Sequence, residues 1–79
     1  MYQRLTVPAP EGYQADPSAA LERLGRLEDR IEKLQTEYEQ TLASMERLAA
    51  EGKEKTVTYR QLMGNKMTIR ELLFRLGCL

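Results

Sequence analysis

The chain has 79 residues, with 12 basic and 12 acidic side chains, no histidine and one cysteine. That length allows one small domain, whose modest core is marginal without helix pairing or oligomerisation. Lacking histidine removes the commonest general base and metal ligand, and a single cysteine excludes an internal disulfide framework. No apolar run approaches a membrane span and no signal-peptide pattern opens the sequence, so a soluble cytoplasmic protein is expected.

The formal charge of zero is unevenly spread. Residues 1–17 set Arg4 against Glu11 and Asp16, for −1; residues 18–51 set five basic against eight acidic side chains, for −3. Residues 52–79 set Lys53, Lys55, Arg60, Lys66, Arg70 and Arg75 against Glu54 and Glu71, for +4. Either an acidic helix packs beside a basic one, or the basic end meets an anion.

Residues 1–16 read as an extended N-terminal arm. Tyr2 to Val7 alternates weakly, and Pro8-Ala9-Pro10-Glu11-Gly12 forbids a helix and favours turn or polyproline-like backbone. Tyr2, Leu5, Val7 and Tyr13 carry enough apolar surface for the arm to pack along a helix. Asp16-Pro17 is a helix start, with Asp16 as N-cap and Pro17 at the first helical position. A long amphipathic helix is expected over 17–51, supported by the pairs Glu22–Arg26 and Asp29–Lys33 and stopped by Gly52.

That helix carries a coiled-coil seam. Leu24, Ile31, Tyr38 and Met45 recur every seven residues, and Leu27, Leu34, Thr41 and Leu48 follow three residues behind each. A loop is expected over 52–57 and a second helical region over 58–77, started by Thr56 or Thr58, with a possible kink at 64–67. Thr58-Tyr59-Arg60-Gln61 and Thr68-Ile69-Arg70-Glu71 both fit a capping box, and Gly64-Asn65 lies between them. Apolar spacing runs across that pair, which favours one mostly continuous helix. Its stripe would hold Leu62, Ile69, Leu73 and Leu76, with Tyr59, Met63 and Leu72 beside it.

The predicted fold is therefore all-α, a long coiled-coil helix with a shorter one folded back as a hairpin. The first helix would be ~50 Å long and the second ~28 Å. The heptads around Leu24, Leu27 and Ile31 would then be left bare, and such a seam normally has a partner. A homo-oligomer is expected, a dimer ahead of a trimer or tetramer.

Catalytic groups are sparse. Cys78 has no histidine to activate it, and Glu28 and Glu32 share a helix face without the histidines that di-metal bundles use. No phosphate loop, dinucleotide fingerprint or zinc spacing is present. An enzyme is not expected, nor a cofactor or a metal. The stretch Lys53–Arg70 is the one with ligand chemistry. Thr58, Tyr59, Arg60, Asn65, Lys66 and Arg70 supply hydroxyl, amide, aromatic and cationic groups that would suit a phosphate or nucleotide. The competing account makes the threonines caps, Tyr59 core, and the cations partners of the acidic first helix. A DNA-binding helix-turn-helix at Thr68–Leu76 lacks a third helix and net positive charge, so nucleic acid is not the expected partner.

The string Thr56-Val57-Thr58-Tyr59-Arg60-Gln61-Leu62, then Lys66-Met67-Thr68, then Gly77-Cys78-Leu79 after a coiled-coil helix, resembles short phage- and prophage-encoded helical proteins of unassigned function. The resemblance implies a small accessory protein working by binding, such as an inhibitor of a host defence system. Such inhibitors occlude a host protein or, as oligomers, sequester a nucleotide signal. The first reading is thus a non-enzymatic oligomer that binds a partner protein. The alternatives are an oligomeric sponge for a small anionic nucleotide and a nucleic-acid-binding regulator.

Overall fold

The computed structural model describes residues 2–79. Two short strands, β1 (Val7–Ala9) and β2 (Gly12–Gln14), precede two helices, α1 (Pro17–Ala50) and α2 (Val57–Arg75). The described residues divide into two units at the Arg30–Ile31 junction.

In the first unit β1 and β2 pair antiparallel, with Val7 opposite Gln14 and Ala9 opposite Gly12. This small sheet corrects the all-α expectation. Pro10 presets its own φ for the turn and lacks the N–H a ladder would need. Neither Pro10 nor Glu11 has positive φ, so the mirror-image hairpin turns are not used. Gly12 absorbs the reversal instead, at φ 133°. Cation–π contacts tie the arm down. The Arg4 guanidinium lies 5.6 Å from the Tyr13 ring centre, and that of Arg23 on α1 lies 5.8 Å from the Tyr2 ring centre. Arg23 also donates to the Gln3 carbonyl.

Local chemistry sets where α1 begins. The Asp16 carboxylate accepts from the Ala19 N–H at 2.9 Å, and Pro17 follows at the first helical position. Within this unit Glu22 and Arg26 form the expected ion pair, one turn apart. Leu21, Leu24 and Leu27 are exposed, at 69%, 50% and 40%.

In the second unit the C-terminal part of α1 and all of α2 form a helical hairpin. Both helices stop with the same device. Gly52 (φ 72°) and Gly77 (φ 74°) take left-handed backbone. The N–H groups of Gly52 and Lys53 bond to the carbonyls of Ala49 and Leu48, and those of Gly77 and Cys78 to Phe74 and Leu73. This is the Schellman arrangement, which satisfies carbonyls the helix leaves open. Cys78 is thus explained as a half-buried side chain after a helix cap.

The cap of α2 is Thr56, not Thr58. The Thr56 hydroxyl accepts from the Tyr59 N–H at 3.2 Å and donates to the Lys53 carbonyl at 2.7 Å. Starting one residue earlier than expected, α2 swallows Thr58 into its first turn. Nor does Thr68 start a helix. Its hydroxyl donates back to the Gly64 carbonyl at 3.0 Å, inside one continuous helix.

The hairpin core is narrow. Met45 and Leu73 are buried, and Ile31, Leu34, Tyr38, Thr41 and Leu48 are half-buried. Ile31 is therefore partly covered rather than bare. From α2 the half-buried residues are Tyr59, Leu62, Lys66 and Ile69. They alternate three and four residues apart and lead to Leu73, which is a seam facing α1. Met63 and Leu72, placed beside the stripe from sequence, stay exposed at 42% and 45%.

Two stability outcomes follow. Leu73→Ala removes the one side chain among the described residues with no exposure, and should cost about 3 kcal/mol in a urea titration. Gly64 lies in the α2 interior with open space where a Cβ would sit. Gly64→Ala should therefore stabilise by about 0.5–1 kcal/mol, seen as a higher Tm.

Candidate functional site

The six ligand candidates of α2 do not converge. At ~100° and ~1.5 Å per residue, Arg60 and Lys66 lie roughly 120° apart around the axis, and Arg60 and Arg70 about 15 Å apart along it. Thr58 and Arg60 are exposed, while Tyr59 and Lys66 sit half-buried in the stripe facing α1. Arg70 is exposed beside Met67, Glu71 and Phe74, in a shallow groove of about 350 Å³. Asn65 alone reaches the cleft between the two helices of the hairpin.

That cleft, of about 450 Å³, has Glu37, Gln40, Thr41 and Ser44 on one wall and Leu62, Asn65, Thr68 and Ile69 on the other. Most of its lining residues are polar, but the only charged one is Glu37, so it offers an anion no cation. The Thr41 hydroxyl donates to the Glu37 carbonyl at 2.8 Å, which answers its own need inside the stripe. Thr56 is likewise engaged on both sides, and its hydroxyl takes the Tyr59 N–H, one of the donors of the first turn of α2.

The basic α2 and the acidic α1 do not neutralise one another through ion pairs. Among the described residues the ion pairs are Glu22–Arg26, Glu51–Lys53 and Glu71–Arg75, and none joins α1 to α2. The expected Asp29–Lys33 pair is not formed among them. Nor is any group of residues placed to hold a metal ion found among the described residues. None of their helices is long and apolar enough to cross a membrane.

A cation cluster that composition hid lies in the first unit. Arg23, Arg26 and Arg30 recur at i, i+3 and i+7 and line one groove of about 690 Å³ between the arm and α1. Tyr2, Gln3 and Leu5 supply the arm side, and Ala19 and Leu27 the apolar floor. Glu22 is the one carboxylate lining it. Three arginines against one glutamate leave this groove positive within a segment of net negative charge. The spacing was available in the sequence, but summing charge over the whole helix cancelled it.

A search of protein families, of curated proteins and of solved structures finds no match to this chain.

Lys66 supplies a test of what the α2 stripe is for. Its stem is half-buried at a position where the pattern calls for an apolar residue, and it has no ion-pair partner among the described residues. Lys66→Met should raise stability by about 1 kcal/mol in thermal and urea unfolding. A loss of stability would mean that the ammonium group has a stabilising role in the stripe.

Proposed function

We propose that this protein is a small non-enzymatic helical protein that self-associates and works by binding a partner protein. The carrying observation is the imbalance of apolar surface. Among the described residues two apolar side chains are buried, Met45 and Leu73, while fourteen large ones are exposed. Scattered exposed leucines need no explanation, but here Leu21, Leu24, Leu27, Met63, Met67 and Phe74 lie in rows at helical spacing.

Two rows support two contacts. Leu24 and Leu27 belong to the α1 heptad seam, with Leu21 one turn before Leu24, and suit a coiled-coil contact with a second copy. Met63, Met67 and Phe74, exposed at 42%, 65% and 66%, share one side of α2 away from its buried stripe. Unbranched methionines beside an aromatic ring adapt to an irregular apolar partner. The resemblance to phage-encoded accessory proteins implies a protein working by binding, which fits this reading without choosing the partner.

Native mass spectrometry of the full chain tests the self-association. The wild type should run as a closed oligomer, a dimer first, and Leu24→Glu with Leu27→Glu should return it to monomer with helicity retained. A wild type that stays monomeric at micromolar concentration would refute the reading. For the partner contact, Met67→Glu with Phe74→Glu should abolish capture of a partner that the wild type retains, without changing subunit number.

A further inference from the structure

We propose that the groove between the N-terminal arm and α1 is a binding site for a nucleoside phosphate. The proposal is independent of the self-association argued above, because it rests on one copy of the chain. Arg23, Arg26 and Arg30 present guanidinium groups to the same groove. A guanidinium has five donors in a planar fork that matches a phosphate edge, so one existing partner does not exhaust it.

Two of the three are already held in place. Arg23 donates to the Gln3 carbonyl and lies over the Tyr2 ring. Arg26 pairs with Glu22. These contacts leave donors free on both and reduce the side-chain freedom that a ligand would otherwise have to freeze. Arg30 has no hydrogen bond or ion pair to another described side chain, and is the open cation of the set. Phosphate oxygens would lie on Arg26 and Arg30. The apolar part of the ligand would lie on Leu5 and the Tyr2 ring, which line the same groove and belong to neither row of the self-association. A bare inorganic anion would leave that wall unused; a nucleoside would cover it.

Isothermal titration calorimetry on the full chain at low ionic strength tests this, with ADP, inorganic pyrophosphate and adenosine as probes. ADP should bind saturably, pyrophosphate more weakly and adenosine not measurably, with ADP affinity falling as salt is added. Arg30→Ala should weaken ADP about tenfold or more, and Arg26→Ala similarly, each with unchanged helicity by circular dichroism. No ADP binding at low salt, or wild-type affinity in both variants, would overturn the site. Pyrophosphate binding as tightly as ADP would overturn the nucleoside. If ADP fails to bind and Arg30→Ala instead changes the subunit number, the cluster belongs to a protein contact and the proposal is lost.

Discussion

The structure turns on a shortage of cover. An α-helix with apolar residues at a and d must lay that seam against something, since each exposed leucine forgoes about 1–2 kcal/mol of burial. The seam of α1 runs from Leu24 to Leu48. Within residues 31–79 the stripe of α2 meets it, and Met45 and Leu73 are the result. Within the first unit Leu24 and Leu27 keep half and two-fifths of their exposure, and Leu27 lines the groove beside the arm. The rest of the fold can be read as partial answers to that shortage. The arm is held to α1 by Arg23, and both helices are closed by glycine caps that satisfy carbonyls of their last turns.

Polar residues inside the apolar stripes weaken the hairpin further and explain its shape. Thr41 and Lys66 each occupy a place the heptad assigns to an apolar side chain. Thr41 resolves its hydroxyl locally, by donating to Glu37. Lys66 has no such local answer and keeps its stem half-buried while its ammonium group seeks water. A polar residue at a seam position costs stability but penalises alternative registers, the role best attested for such residues in coiled coils. The stripe of α2 is thus specific before it is strong.

What was legible in the sequence is what depends on a few adjacent residues. Asp16-Pro17 starts a helix and Gly52 ends one for reasons contained in the backbone itself, and the heptad pattern follows from spacing alone. What was not legible depends on competition. Thr56 and Thr58 are both plausible caps, and Thr56 wins because its hydroxyl also bridges back to Lys53 across the loop. Gly64-Asn65 looks like a break, yet Leu62, Ile69 and Leu73 on either side hold one seam, and that packing outweighs a local glycine. The β1–β2 pair has strands of three residues, too short for alternation to show. The ligand candidates on α2 are a list of chemistries in one stretch. A helix deals such a list around its axis, and Tyr59 and Lys66 went inward.

The arginine row shows the same lesson in reverse. Charge summed over residues 18–51 is negative, and over the whole chain it is zero. Neither sum bears on a ligand, because at physiological salt a charge is felt over only about 8 Å. Arg23 to Arg30 spans about 10 Å of helix axis with Arg26 between them, so successive guanidinium groups of the row lie within about one screening length of each other. The lining of the groove in the first unit carries three arginines and Glu22, with Glu28 and Asp29 on the same helix outside that lining. Net charge governs how a protein behaves in bulk; the spacing of like charges on a helix governs where it can hold something.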